Sequence, residues 1–317
     1  MDIMVSILCT AYNQEDYIAE ALESFIRQKT KFNFEVIVHD DASTDNTAQI
    51  IKKYQEKYPN IIVPIYQSEN QFSKGIKITK DILMKVARGK YFALCEGDDF
   101  WVDDYKLQKQ VDYMELHSKC SMCVHNGILV DRLSNKIGDY TICSENRIAD
   151  ENEIIRIGGS FCPTNSILSR MCLVKNLPNY FKFLTMDVVW EMYLGSVGYV
   201  YCMNDVMSAY RVNAKNSWSE KMSKSGNDKK IKHLEKIIQF KNMFDEETGY
   251  KYHKSIDIVI REDLIYKYIL EENYEAFKNF NFKDLYSDRG FRGKIKIFLL
   301  KHFSFLFKII NNMRNNH

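Results

Sequence analysis

Glu96, Gly97, Asp98 and Asp99 place three carboxylates within four residues, the densest group of chemically capable side chains in the chain. Carboxylates this close repel one another unless a cation neutralises them. Oxygen-only ligands favour a hard ion such as magnesium or manganese, and an ion held by few protein ligands commonly bridges to substrate phosphates. Taken alone, the segment also reads as a solvated acidic turn. Two further polar clusters stand at the ends of apolar runs: Thr10, Ala11, Tyr12, Asn13 after MVSILCT, and Asp40, Asp41, Ala42, Ser43 closing FEVIVHD. Of the two aspartates, one is expected to face a cleft, where a carboxylate accepts from the imide of a uracil or from a ribose hydroxyl. The other is expected to cap a helix start.

The elements that must position these clusters are readable from hydrophobic period. MVSILCT, FEVIVHD, NIIVPIY and KYFALCE read as strands. Between the first two, Ile18, Leu22 and Ile26 fall at i, i+4 and i+8, the stripe of a covering helix over Glu15–Gln28. TDNTAQIIKKYQEKY, opening with Thr44, Asp45 and Asn46 as possible caps, and GIKITKDILMKVAR read as two more helices. The alternation predicts an α/β fold with a mostly parallel sheet, in which ligands bind beyond the carboxyl ends of the strands. The three polar clusters stand at three such ends. Past Trp101 the pattern continues with the helix DYKLQKQVDYMELH, strand-like pieces in CVHNGILVD and SFCPTNSILS, a helix near Asp187 and the strand YVYCMNDVMSAYR. Helical spacing over Lys229–Glu247 and Ser255–Glu272 predicts a smaller helical appendage, with the boundary in KNSWSEKMSKSGND, giving 1–220 and 221–317 as the two parts.

Composition narrows the classes. The chain has 317 residues, 45% of them hydrophobic, and its 44 Lys+Arg nearly cancel 42 Asp+Glu, so overall charge gives no argument for nucleic acid. The start carries no basic region followed by an apolar stretch, and no apolar run approaches the roughly 18 residues needed to span a bilayer, so the expected setting is cytoplasmic. Eight cysteines, with Cys9 and Cys95 inside apolar runs, read as buried thiols; Cys120 and Cys123 lack a second pair to complete a zinc site.

VSILCTAYNQEDYIAEALESFIRQ, FEVIVHDDASTDNTAQII and GKYFALCEGDDFWVDDYKLQKQV together resemble the family 2 glycosyltransferases of the GT-A fold, in the branch that builds bacterial surface polysaccharides. The resemblance is strong over residues 3–112 and weaker to about 215. It implies an inverting transferase that moves a sugar from a nucleotide-diphosphate donor, a UDP-sugar first, to a hydroxyl of a glycan or lipid-linked acceptor, with manganese or magnesium. By the same resemblance Thr10, Tyr12 and Asp41 match nucleotide contacts, and the Tyr12 ring stacks on the base. Asp98 and Asp99 match the DxD-type motif, with Asp99 as the direct metal ligand. Glu96 stands where many members have aspartate and is expected to contact sugar or ribose. The family's general base, an aspartate opening a helix about ninety residues downstream, falls on Asp187; Glu191 is the second candidate, and an N-cap is the alternative role for Asp187. Asn213 occupies the place of a family histidine, while Arg211 before it is a candidate for phosphate or for a structural carboxylate. Lys74 and Lys77 are candidates for neutralising the diphosphate, against a solvated helix face. Trp101, Trp190 and Trp218 are expected in the core. A nucleotidyltransferase and a non-catalytic, membrane-peripheral nucleotide-sugar-binding protein remain as other classes.

The charge is unevenly spread. Residues 289–317 hold seven basic residues and no acid, interleaved with Phe, Ile and Leu. Such a segment is expected to lie in a membrane interface against anionic lipid, at the inner face of the cell membrane; the alternative is a terminal helix docked on the protein with its lysines solvated.

Overall fold

In the computed structural model, which describes residues 2–215, 217–283, 285, 298 and 301, the apolar runs of the first two thirds pair into one sheet. The chain divides into two compact units, Met1–Ser223 and Lys224–His317. In the first unit, β1 (Ile3–Ala11), β2 (Asn33–Asp40), β3 (Ile62–Tyr66) and β4 (Tyr91–Leu94) lie in the order β3-β2-β1-β4, all parallel. The inner part of β2 is buried throughout, which is why it reads as an unbroken apolar run. α1 (Ile18–Ile26) and α2 (Thr47–Lys57) make the first two crossovers. Ile18, Ala21, Leu22 and Phe25 of α1 are fully buried in one core cluster with Val5, Ile7 and Cys9 of β1. Because β1 sits between β2 and β4, the strand order reverses at β1, the point beyond whose carboxyl end open α/β sheets bind ligands.

The third crossover differs from the single helix expected over 75–88. It is a 3-10 turn (Phe72–Lys74), a π-helical segment (Ile78–Leu83) and the short α3 (Met84–Val86). β5 (Phe100–Trp101) follows β4 almost at once, then α4 (Lys106–Leu116), β6 (Cys120–Val130), β7 (Lys136–Tyr140), β8 (Arg147–Ile148) and α5 (Glu151–Ile157). SFCPTNSILS, expected as strand, resolves into a 3-10 turn (Thr164–Ser166) and the three-residue β9 (Leu168–Arg170). α6 (Tyr180–Phe183), α7 (Asp187–Val197), β10 (Tyr199–Arg211) and α8 (Trp218–Ser223) complete the unit. The sheet continues β4-β9-β6-β10-β5, with β7 on β6 and β8 on β10. β9 lies antiparallel to both β4 and β6, β5 antiparallel to β10, and β6 parallel to β10. The sheet is therefore mixed, and only its first half has the parallel order expected for the whole.

Trp101 and Trp190 are core residues, edge-on to Phe25 and Phe92 respectively, whereas Trp218 is exposed. All eight cysteines are free and all but Cys172 are buried. Burial pushes the Cys9 and Cys95 thiols up, as expected of inert packing groups.

In the second unit, α9 (Asn227–Glu247) and α10 (His253–Leu270) are joined by an ion pair from Lys241 to Asp263 at 2.7 Å. Ile258 and Ile265 pack with Tyr274, Phe277, Phe282 and Leu285. The basic segment 289–317 lies outside the described residues except for Phe298 and Lys301. Among the described residues no helix is long and apolar enough to cross a membrane.

Candidate active site

Glu96–Asp99 form the turn between β4 and β5, alongside the end of β1. The Gly97 amide donates to the Thr10 carbonyl at 2.9 Å, and the Asp99 amide to the Glu96 carbonyl at 3.1 Å. A Cβ on Gly97 would stand 2.5 Å from Gln14 Oε1 and 2.8 Å from Ile18 Cδ1, so a side chain here would have to displace the ends of both. Thr10 and Tyr12 are half-buried at the strand end. The loop after β1 is stitched to the loop after β2: the Asn13 amide donates to Ser43 Oγ at 2.9 Å, the Thr44 amide to Asn13 Oδ1 at 2.8 Å, and the Gln14 amide to Thr47 Oγ1 at 2.8 Å. Asn13 adopts φ 52°, a left-handed conformation that asparagine tolerates better than most residues.

Asp41 lies against β1, its amide on the Ala11 carbonyl, and its carboxylate accepts from the Gln71 amide at 2.6 Å and the Phe72 amide at 3.1 Å. Neither Asp40 nor Asp41 caps α2, contrary to expectation; Asp45 Oδ1 takes the Thr47 amide instead. Asp40 is buried, its Oδ1 meets no hydrogen-bond donor, and burial raises its carboxyl above the usual range.

The Asp99 carboxylate is held from two sides, by the Arg211 amide to Oδ1 at 2.8 Å and Asn165 Nδ2 to Oδ2 at 3.0 Å. Asp98 is buried beside it, and burial raises its carboxyl above the usual range. Burial, with Asp98 adding, pushes Asp99 well above the usual carboxylate range. Glu96 is solvent-exposed, yet surrounding protein atoms, with Asp98 and Asp187, push its carboxyl up to about 8. Exposure and desolvation together place Glu96 on the wall of a concave recess rather than on an open face.

Asp187 has the same double character. It is exposed, and desolvation raises its carboxyl against the opposing hydrogen bond from Thr164. It is the first residue of α7, whose N-cap is Met186, so its side chain is not used as a cap. Its charge is felt at Glu96, Glu191, Tyr140 and Tyr210. Glu191, by contrast, is fully buried and ties down the loop before Thr164. It accepts from the Gly159 amide at 2.6 Å and the Phe161 amide at 3.3 Å, and its carboxyl is pushed up to about 8 by burial and Asp187. Of the two candidates for the base, only Asp187 presents a carboxylate to the recess.

Two expected phosphate contacts are engaged elsewhere. The Arg211 guanidinium faces inward: Nε donates to the Asp98 carbonyl at 2.8 Å, Nη1 to the Asp131 carbonyl and Ser134 Oγ at 3.0 Å each, and Nη2 to Glu20 at 2.6 Å. It lies 4.6 Å from the Tyr17 ring. With four of its five donors committed, it serves as the bolt of the acidic turn, the structural role among its two expected ones. Lys74 is exposed and paired with Glu69, and Lys77 opens the π-helical segment. Asn213 is exposed at φ 54°, its carbonyl accepting from Arg132 Nε; it is a turn residue closing β10.

Reasoning from sequence passes over several members of the site. Gln14, Glu20, Thr164 and Asn165 touch the key carboxylates or the arginine beneath them, but isolated polar residues carry no periodic signal. Lys221 of α8 is exposed and lies 5.4 Å from the centroid of the Tyr12 ring. Pro163 before Thr164 and Asn165 is the one visible cue, since it marks a turn.

Among the described residues no group of three or more His, Cys, Asp or Glu side chains forms a ready metal cage. Asp98 and Asp99 fit a divalent cation in another way: each oxygen of Asp99 retains a lone pair beyond its hydrogen bond, and an ion of the magnesium type completes its shell with phosphates and water.

Residues 6–173, which run from within β1 to just past β9, match the family model described as Glycosyl transferase family 2. The chain belongs to that family. An uncharacterized protein of Mycobacterium tuberculosis is 34% identical over 218 residues, 68% of this chain and 60% of that protein. The Escherichia coli protein named UDP-Glc:alpha-D-GlcNAc-diphosphoundecaprenol beta-1,3-glucosyltransferase WfaP is 37% identical over 112 residues, 35% of this chain and 41% of WfaP. The matched stretches thus span less than two thirds of these relatives. Among solved structures, that of S. aureus TarS in complex with UDP-GlcNAc superposes with a TM-score of 0.62 at 16% identity, covering 94% of this chain and 79% of that one. The fold of this family 2 chain is GT-A, followed by a helical C-terminal region.

Proposed function

We propose that the chain is an inverting glycosyltransferase that moves a sugar from a UDP-sugar to a hydroxyl of a glycan or lipid-linked acceptor in the synthesis of bacterial surface polysaccharide. What supports this reading is the nearness of an exposed carboxylate opening α7, Asp187, to the acidic β4–β5 turn, where its charge adds to the upward push on Glu96. Family membership supports the reaction class, and the UDP-Glc and lipid-linked acceptor in the name of WfaP support the donor and acceptor classes. UDP-GlcNAc bound to TarS supports the same donor base.

Thr10, Tyr12 and Asp41 receive the nucleoside at the β1 and β2 ends, with Tyr12 as a stacking face. Asp98 and Asp99 hold the divalent cation, manganese or magnesium, whose charge offsets that of the departing diphosphate. Glu96, on the recess wall between them and Asp187, contacts the donor sugar or ribose. The acceptor hydroxyl gives its proton to the Asp187 carboxylate as its oxygen attacks the anomeric carbon and the bond to the diphosphate breaks. One displacement suffices, and the configuration inverts. A lipid-linked acceptor and the basic segment 289–317 together favour work at the cytoplasmic face of the membrane.

A thermal-shift panel of UDP, GDP, CDP and TDP, each with manganese or with chelator, tests the reading. A ligand at 100 times its Kd adds about 2.7 kcal/mol to stability. UDP is expected to raise Tm in a manganese-dependent way; no shift with any nucleotide overturns the assignment.

A further inference from the structure

The turn between β6 and β7, residues 131–135, is joined to the acidic turn on one side and to α8 on the other. Its own shape is fixed from within, since Asp131 Oδ1 accepts from the Leu133 amide at 2.8 Å and the Asn135 amide at 2.9 Å. Its Asp131 carbonyl and Ser134 Oγ each take Arg211 Nη1 at 3.0 Å, and Arg211 Nε in turn holds the Asp98 carbonyl at 2.8 Å. Ser134 Oγ also donates to Glu20 Oε2 at 2.8 Å, which ties the turn to α1. Between these two anchors in sequence stands Arg132. Its Nε donates to the Asn213 carbonyl at 2.8 Å and its Nη2 to Glu220 Oε1 at 2.6 Å. The first contact lies on the chain leading out of β10 and the second within α8, so one guanidinium holds both the helix and its approach. The Glu220 side chain is only 13% exposed, which shields the pair better than an ordinary surface bridge. The next residue is Lys221, 5.4 Å from the centroid of the Tyr12 ring and within cation–π range of it. Among the described residues the Lys221 ammonium makes no ion pair.

We infer that Arg132 is a positioning residue for nucleotide binding: from a turn anchored on Arg211 it holds α8 through Glu220, so that the Lys221 ammonium stands at the Tyr12 end of the site to meet the donor diphosphate. Arg132 does not touch the nucleotide. It acts through Lys221, and the diphosphate is the anionic part of the nucleotide that an unpaired ammonium attracts. The acidic turn and Lys221 are thereby referred to the same turn, the one by Arg211 and the other by Arg132. Two acceptors, a carbonyl and a carboxylate, are reached at once because the guanidinium presents its donors as a planar fork, which a lysine cannot do.

The inference rests on the transferase reading, and the experiment separates the two. Calorimetry of the full-length protein in manganese compares UDP with uridine, which lacks the phosphates. R132A is expected to weaken UDP binding about two- to fivefold and to leave uridine unchanged, the range set by one partly exposed ion pair. E220Q, which removes the charge and keeps the volume, is expected to act in the same sense. The R132A/K221A double variant is expected to bind UDP no more weakly than K221A alone, because a lysine that is no longer placed has no contact left to lose. Groups that act independently would instead show the product of the two single losses. R132A or E220Q with wild-type UDP affinity, K221A with wild-type UDP affinity, equal losses for UDP and uridine in R132A, or a double variant showing the product of the single losses overturns the role of Arg132. Wild-type protein that binds neither UDP nor uridine removes the transferase reading, and this inference with it.

Discussion

At the first residue of α7, Asp187 combines an exposed carboxylate with a desolvated setting, and the two properties have separate consequences. Exposure to the recess gives it access to an acceptor hydroxyl, so D187N is expected to reduce transfer at least about a hundredfold while UDP affinity is kept, since no nucleotide contact is lost. Initial-rate kinetics beside calorimetry check this, and a fully active D187N removes the residue from the mechanism. Desolvation raises its carboxyl above the ordinary aspartate range. A base works only when ionised, so activity must fall as pH drops through that raised value, which lies above the about 3.9 of a free aspartate. The acid limb of kcat/KM against pH is thus expected to stand above the ordinary aspartate range, and an acid limb at or below about 4 contradicts the desolvated geometry. Glu191, one turn on, is excluded from this role by its burial and its partners rather than by its chemistry: Oε2 accepts from the amides of Gly159 and Phe161, and Oε1 from that of Cys162.

The elements differ in how legible they are. β1 to β4, α1 and α2 follow from period alone, because strands covered on both faces and helices with one apolar stripe leave strong signals. β5 and β8 have two residues each and exist only because β10 is there to pair with them. No local pattern reports a partner that far along the chain. The π-helical crossover shares its spacing with an α-helix, and so reads as one. For the same reason the inward turn of Arg211 is hidden from sequence. Its burial depends on Glu20, Ser134 and the Asp98 carbonyl converging from three elements. With Arg211 and Lys74 engaged, α8 brings a cation to the nucleotide end through Lys221, 5.4 Å from the Tyr12 ring. K221A is expected to weaken binding of UDP several-fold, in the range of about 1 kcal/mol for an exposed charge, and to leave uridine unaffected. Equal losses for the two ligands would mean that Lys221 supports only the stacking face.

At the scale of the molecule, charge and contacts divide the chain in the same sense. Residues 1–288 carry a net charge of 37 minus 42, or −5, and residues 289–317 carry +7, summing to the +2 of the whole. The nucleotide-side residues, the acidic turn and Asp187 all belong to the unit Met1–Ser223. Donor binding should therefore not need the last residues, whereas attraction to a membrane should. Near an anionic surface each Lys or Arg contributes about 1 kcal/mol, and buried Phe, Ile and Leu add apolar area. Deletion of 289–317 is expected to abolish sedimentation with vesicles containing phosphatidylglycerol and to leave manganese-dependent UDP affinity unchanged. The full chain is expected to lose most of its vesicle binding as salt is raised, because the surface potential decays within a Debye length. A truncated chain that sediments like the full one would move the membrane contact to the first 288 residues, where the net charge has the wrong sign to favour it.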